Sequence, residues 1–174
     1  MSIFEKLFGK YNINSEKTSK KRIDIDELLL SENKNNSIIE LDNFICKLCN
    51  WGEKLDNLTE EQMYFFFNQN LEREINNGGF IQYFYNSSGD SAHETINSLK
   101  IIGADRTAII LQQAIDQFPQ KTVPQNRTER QDIMEKIEEK VTEIFEELDL
   151  KFLAYEDDLN TLNIEFVRQN KDKF

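Results

Sequence analysis

The spacing of its apolar residues constrains the fold of this chain more than any other feature. From residue 37 onward they recur at steps of three and four, as in Ile38, Leu41, Ile45, Leu48 and Trp51. Such steps place side chains on one face of an α-helix. Only two prolines occur in 174 residues, and proline is the residue that a helix interior tolerates least. The sequence therefore predicts an all-α fold: a single compact multi-helix domain with a short polar N-terminal extension.

Capping and turn residues divide the apolar pattern into separate helices. Thr59–Gln62 and Ser91–Glu94 are capping boxes, in which side chains bond the free backbone N–H groups of a first turn. The first box predicts a helix that ends at Gly78–Gly79, because glycine takes the left-handed C-terminal conformation without steric cost. The second box predicts a helix that ends at Gly103, and Asp105 is placed to cap the next one.

The C-terminal third is predicted to hold two further helices. Pro119 and Pro124 bracket a loop in which no helix can continue. Beyond this loop, the apolar spacing predicts a long helix over about residues 128–148 and a final helix over about residues 152–168. Outside residues 76–90, every element that the pattern predicts is a helix.

Residues 76–90 read NNGGFIQYFYNSSGD, an apolar run between two turn signals. Periodicity alone does not distinguish a short buried helix from a buried strand here. In either case we expect the aromatic side chains in the core, because each can bury about 150–250 Å². The alternative is a ligand or hydrolytic site, in which the turns bind an anion or Glu74, Asn77, Asp90 and His93 supply polar and acid–base groups. We favour the structural interpretation, with His93 exposed or capping a helix.

The composition changes near residue 36, where we predict a domain boundary. Residues 1–36 carry seven basic and six acidic side chains, including the run Lys20–Arg22, whereas residues 37–174 carry 14 basic and 26 acidic ones. The apolar residues among the first nine positions would suit a short amphipathic helix. We therefore divide the chain into a polar, basic extension (1–36) and an all-helical domain (37–174).

The net charge of −11 restricts the classes of partner. Nucleic acid, heparin and anionic lipid would each be repelled, whereas the charge allows a basic protein partner or simply good solubility. No apolar run approaches the ~20 residues that span a bilayer, and the first residues lack the features of a secretory signal. We therefore expect a cytoplasmic protein without direct nucleic-acid or membrane binding.

Cys46 and Cys49 have the spacing of a metal-binding or redox pair. A structural zinc site needs four ligands, and the chain adds only one histidine to the two thiols. A redox pair usually lies at a helix N-terminus after a strand, whereas this pair falls inside a helical pattern. We expect buried or half-buried cysteines, with no metal and no cofactor. Without a phosphate-binding glycine loop or a nucleophile elbow, an enzyme is the weakest hypothesis.

The run LEREINNGGFIQYFYNSSGD, followed by SLKIIGA, resembles the family of neisserial-type DNA-mimic proteins, whose shared domain was long catalogued as of unknown function. LTEEQ before it and AIDQFP and ELDLKF after it fit the same pattern, over about residues 58–158. The resemblance implies a mostly helical fold and an acidic surface that occupies the DNA-binding face of a basic transcription factor. The residues that carry it, here called the signature residues, are expected to be structural: Asn77, Gly78, Gly79, Phe80, Asn86, Ser87, Ser88, Gly89 and Asp90.

Carboxylates cluster on one side of the predicted helix over residues 128–148, opposite its apolar face. At about 100° per residue, five of them lie in an arc of about 80°, here called the acidic stripe: Asp132, Glu135, Glu139, Glu143 and Glu146. Four more could extend it: Asp149, Glu156, Asp157 and Asp158. An amphipathic helix needs a polar face in any case. Like charges at i, i+4 destabilise a helix, however, so stability gives no reason to collect carboxylates there.

The sequence thus favours a non-catalytic protein that resembles DNA mimics and occupies the basic nucleic-acid-binding surface of a partner such as a transcription factor. The alternative is an inhibitor or immunity-type protein that binds a toxin or an enzyme through the same acidic surface or through the turns of NNGGF and NSSGD. A small-ligand or hydrolytic site near Glu74, Asp90 and His93 is the third hypothesis.

Overall fold

The computed structural model describes residues 23–174, and every regular element within them is a helix. The α-helices of this part of the chain are α1 (Ile25–Leu30), α2 (Lys34–Leu48), α3 (Glu60–Tyr85), α4 (Ala92–Ile101), α5 (Asp105–Ile115), α6 (Arg127–Leu153) and α7 (Leu159–Gln169). Short 3₁₀ turns lie at Leu55–Asn57, Ser87–Ser91, Pro119–Lys121 and Lys171–Lys173. The predicted all-α class is confirmed.

Helix α3 contributes to both hydrophobic clusters that residues 23–174 form. Its N-terminal half places Phe65 and Phe66 in a cluster with α1, α2 and α7. Its C-terminal half places Phe80 and Phe84 in a larger cluster with α4, α5 and α6. Helix α3 therefore connects the two hydrophobic clusters.

The segment FIQYFY forms the last turns of α3, which decides between helix and strand. Phe80, Tyr83 and Phe84 are completely buried. The ring centroid of Phe84 lies 4.8 Å from that of Phe118. The expected aromatic core is therefore confirmed for these three residues, whereas Tyr85 at the end of the helix is 42 % exposed.

Gly78 and Gly79 interrupt α3 instead of ending it, contrary to the prediction. Gly79 has a φ of +71°, outside the helical range, so the following N–H groups need other acceptors. The N–H of Phe80 donates to Asp149 Oδ1 of α6 at 2.8 Å. A Cβ at Gly79 would lie 2.1 Å from Asp149 Oδ2. Packing against α6 therefore explains both the interruption and the glycine.

One of the two predicted capping boxes is present. At Thr59–Gln62 the side chain of each end residue bonds the backbone N–H of the other, both at 3.1 Å. Ser91 precedes α4 but makes no capping bond with its side chain. The 3₁₀ turn Ser87–Ser91 runs directly into α4, and the N–H of Ala92, the first residue of α4, donates to the carbonyl of Gly89 in that turn.

The connection between α6 and α7 lies later in the chain than predicted. Helix α6 includes Phe152, which was assigned to the final helix, and α7 begins only at Leu159. The connection supplies a cap to α5, where the N–H of Thr107 donates to Asp157 Oδ2 at 2.8 Å. Asp105, the predicted cap, is instead the first residue of α5.

The described part of the predicted N-terminal extension is helical. Helix α1 buries Leu28 in the cluster with α2, and α2 already begins at Lys34, ahead of the predicted boundary at residue 36. The short amphipathic helix predicted for the first nine residues lies outside the described residues. The division of the chain at residue 36 stays a prediction.

Candidate partner-binding surface

The acidic stripe lies on the solvent side of α6. All five of its carboxylates belong to exposed residues. The opposite side of the helix buries six side chains in the fold: Arg130, Met134, Val141, Phe145, Leu148 and Phe152. The stripe therefore stands on a helix whose other face is fixed by packing.

Its carboxylates have no cationic partner within residues 23–174. None of the five forms an ion pair within 4.0 Å, and none accepts a hydrogen bond from a described residue. Lys136 and Lys140 lie beside the stripe on the same helix, and both are exposed without such a pair. At a rise of 1.5 Å per residue, the stripe extends over about 21 Å.

Apolar side chains continue the stripe at its C-terminal end. Leu150 is 72 % exposed and Leu153 is 42 % exposed. At about 100° per residue, both fall in the same arc as the five carboxylates. The solvent face of α6 thus combines a line of negative charge with exposed apolar surface.

The four carboxylates proposed as an extension have partners within the fold. Asp149 accepts the N–H of Phe80, and Asp157 accepts that of Thr107. Asp158 caps α7 through bonds from the N–H and hydroxyl of Thr161, which lower its pKa. Glu156 forms an ion pair with Arg106, a residue of α5.

Burial raises the pKa of Asp149, while its bond from the Phe80 N–H acts in the opposite direction. This carboxylate is half-buried and accepts a backbone N–H at the interruption of α3. Asp157 and Asp158 accept backbone N–H groups at the starts of α5 and α7. Among the nine carboxylates of the predicted surface, those without a partner in the described residues are therefore the five of the stripe.

The signature residues after the interruption are organised by Glu74 of α3. Its carboxylate accepts hydrogen bonds from Gln82 Nε2 at 2.7 Å, Asn86 Nδ2 at 2.9 Å and Ser88 Oγ at 2.9 Å. Glu74 is half-buried. These three bonds tie the stretch before the double glycine to the turn after α3, which is a structural role.

A buried arginine holds the same turn from the other side. Arg130 of α6 is completely buried. Its Nε donates to the carbonyl of Phe84 at 2.6 Å, and Nη2 donates to the carbonyl of Asn86 at 2.8 Å and to Asp90 Oδ1. Its Nη1 donates to the carbonyl of Pro124 at 2.7 Å. A buried charge with bonds to every nitrogen meets the requirement for stable burial.

Gly89 leaves room for this arginine. A Cβ at Gly89 would lie 2.8 Å from Arg130 Nε and 2.9 Å from the carbonyl oxygen of Tyr83. A side chain there would have to displace the backbone of α3 as well as the guanidinium. The glycine of NSSGD is thus explained by close packing around Arg130.

Comparison with known protein families finds a match over most of the chain. The model of the DMP19-like protein family matches residues 56–170. The chain belongs to the DMP19-like family. This is the DNA-mimic family that the sequence resembles, and the match contains α3 to α7, the signature residues and the acidic stripe. No curated protein and no solved structure matches the chain.

In the DMP19-like domain, Glu74, Asp90 and His93 of the hydrolytic hypothesis each bond a different group. Asp90 bonds Arg130, and Glu74 bonds the three side chains described above. His93 is exposed, and its Nε2 accepts the N–H of Val123 at 3.1 Å. None of the three bonds another, and Asn77 is exposed on α3. The arrangement thus shows no acid–base pair among them.

Arg130 is a structurally important residue that sequence reasoning missed. A signal for it exists, because Arg130 falls three and four residues before Ile133 and Met134, in register with the apolar face of α6. A lone charge in an apolar register indicates a buried and bonded side chain. The hydrogen-bond partners of Arg130 could not be predicted from the sequence pattern, because Phe84 and Asn86 lie more than forty positions away.

The cysteines are buried, at the end of α2. Burial raises the pKa of Cys46 to about 12 and also raises that of Cys49. Thiols in this state are poor nucleophiles. Within residues 23–174, no three His, Cys, Asp or Glu side chains come together as a metal-ion site, and no helix is long and apolar enough to cross a membrane.

Proposed function

We propose that this DMP19-like protein is a non-catalytic DNA mimic that uses the acidic stripe to occupy the nucleic-acid-binding surface of a basic protein. The observation that carries the proposal is the exposed line of five carboxylates on α6, without a cationic partner among the described residues. Family membership supports the same function, because the match includes the whole of α6.

The spacing of the stripe resembles that of DNA phosphates. Steps of three and four residues separate its carboxylates by about 4.5–6 Å along the helix axis. One strand of DNA carries a phosphate every ~3.4 Å. The stripe is therefore a thinner line of charge, to which lysine and arginine side chains arranged for a phosphate backbone could still bind.

The overall charge strengthens the attraction to a basic surface. Residues 23–174 carry 15 basic and 30 acidic side chains. A net negative field of this kind steers a basic partner towards the protein and repels nucleic acid itself. Free DNA and this protein would therefore compete for the same partner.

The exposed leucines favour a protein partner over simple solvation. Leu150 and Leu153 give the stripe an apolar end, and stable protein interfaces combine a desolvated apolar centre with a polar rim. A stripe that served only for solubility would gain nothing from exposed leucines. A partner that covers both would gain affinity from the apolar area and specificity from the charges.

The test is capture of partners by two variants of equal charge. The stripe variant carries Asp132→Asn with Glu135→Gln, Glu139→Gln, Glu143→Gln and Glu146→Gln. The control variant neutralises five other exposed carboxylates that form no ion pair or side-chain bond among the described residues: Glu27, Glu32, Glu40, Asp56 and Asp105. Each variant changes the net charge from −11 to −6, because five negative charges are removed.

We expect the wild type and the control variant to retain a DNA-binding protein from a cell lysate at low salt, and the stripe variant to lose it. Duplex DNA should displace the captured protein, and salt should weaken capture steeply. Equal capture by all three proteins would contradict the proposal. Specific capture of an enzyme without affinity for DNA would instead support the inhibitor hypothesis.

A further inference from the structure

A cleft beside the signature turn is not explained by the acidic stripe. It has a volume of about 260 Å³ and is lined by Trp51, Glu53, Leu55 and Phe66 on one side and by Ser88 and Asp90 of the turn on the other. Ligand pockets for drug-sized molecules measure about 300–1,000 Å³. The cleft is therefore of a size for a single side chain.

The wall of the cleft includes the exposed indole of Trp51, a residue with a strained backbone conformation. Trp51, the only tryptophan of the chain, is 62 % exposed. Its φ of +58° lies in the left-handed region, which costs an L-residue about 1–2 kcal/mol. This conformation lets the Trp51 N–H close the end of α2, whereas the exposure of the ring does not stabilise the folded protein. The exposed indole is therefore available for binding.

The backbone holds this position firmly. The N–H of Trp51 donates to the carbonyl of Cys46 at 2.7 Å, and the N–H of Lys54 donates to that of Cys49 at 2.9 Å. Gly52 packs so closely that a Cβ there would lie 3.3 Å from the Phe66 ring. The indole is therefore presented by an ordered turn that is fixed to α2 and α3.

The charged groups that line the cleft are two carboxylates, those of Glu53 and Asp90, and they lie beside uncharged Asn and Ser side chains. Among residues 23–174, no Lys, Arg or His lines it. Glu53 is exposed, and the side chain of Asp90 is 43 % exposed although one of its oxygens binds Arg130. An aromatic face together with carboxylates is the environment that binds a cation, since both attract positive charge.

We infer that the cleft binds the guanidinium of an arginine side chain from a basic protein. A guanidinium is planar and weakly hydrated, so it stacks on an indole while donating hydrogen bonds to carboxylates in its plane. A lysine ammonium matches only the charge. The biological role of this contact rests on the proposed function: it gives the basic partner a second, arginine-specific contact outside the stripe.

The single tryptophan permits a direct test with a defined probe. The peptide acetyl-Gly-Arg-Gly-amide is titrated into the full-length protein while the fluorescence of Trp51 is recorded. We expect a saturable change, with binding several-fold weaker for the matched lysine peptide and not detectable for the glutamine peptide. Equal changes with all three peptides, or no saturable change with the arginine peptide, would overturn the inference.

Variants assign the response to the cleft. Glu53→Gln should weaken binding of the arginine peptide several-fold. Ile109→Ala, at a residue on α5 that is 57 % exposed, should leave this binding unchanged. Trp51→Ala should abolish saturation transfer to the peptide in NMR spectra, with an unchanged circular dichroism spectrum as the check on folding. Unchanged binding by both cleft variants would count against the site.

The stripe variant separates this inference from the proposed function. It retains the whole cleft, so we expect it to bind the arginine peptide as the wild type does. Failure of the stripe variant to lose partner capture would contradict the mimic function and leave the peptide result standing. Failure of the peptide titration would remove the arginine site and leave the stripe experiment unaffected.

Discussion

Arg130 and Asp90 form an ion pair in which the arginine side chain is completely buried and the carboxylate is 43 % exposed. The pair joins the last signature residue to the first turns of α6. The helix that carries the acidic stripe is thereby fixed to the turn that contains the signature residues Asn86 to Asp90.

Replacing Arg130 by methionine should strongly destabilise the protein. The carbonyls of Phe84, Asn86 and Pro124 would lose their donor, and each unsatisfied buried group costs about 1–3 kcal/mol. We expect the free energy of unfolding to fall by about 3 kcal/mol or more, measured by urea denaturation. Arg127→Met is the matched control, because Arg127 is exposed on the same helix. Comparable losses in the two variants would contradict the structural role of Arg130.

Alanine should be tolerated much less well at Gly79 than at Gly103. Both glycines have positive φ, at +71° and +82°, but a Cβ meets nothing within 4 Å at Gly103 and meets Asp149 at Gly79. The left-handed conformation alone costs about 1–2 kcal/mol, and we expect Gly79→Ala to cost about 2 kcal/mol more than Gly103→Ala because overpacking adds to strain.

A double-mutant cycle identifies the contact responsible. In an Asp149→Ala background the added methyl group no longer meets a carboxylate, so Gly79→Ala should cost less there than in the wild type. Strictly additive losses in the free energy of unfolding would mean that the clash with Asp149 does not explain this glycine.

Asp149→Asn should change how stability depends on pH. Burial raises the pKa of Asp149 above its ordinary 3.8, so the folded state binds this proton more tightly than the unfolded state. Its contribution to stability is present below the unfolded pKa and is lost as the pH rises through the folded pKa. Asparagine keeps an oxygen for the Phe80 N–H and carries no charge.

The stability of the asparagine variant relative to the wild type should therefore rise between about pH 4 and about pH 7. Urea denaturation at both values measures this difference. Asp149→Ala removes the acceptor as well and should lose about 1–3 kcal/mol at either pH. A relative stability of the asparagine variant that falls with pH would contradict a raised pKa.

Local spacing was sufficient to predict the helical class and much of the candidate surface. Apolar steps of three and four residues fix which side of α6 is buried, so the carboxylates at the opposite angle were predictable from the sequence and are exposed in the structure. The Thr59–Gln62 capping box was predictable for the same reason, since all of its bonds lie within one turn.

The tertiary structure alone decided what the sequence pattern left open or misplaced. The continuation of α3 past Gly79 depends on Asp149, and the cap of α5 depends on Asp157. The burial of Arg130 depends on carbonyls more than forty positions earlier in the chain. Periodicity and capping describe interactions between residues a few positions apart, whereas each of these contacts joins distant segments. A polar group takes whichever partner the packing brings within reach, and only the folded chain determines that partner.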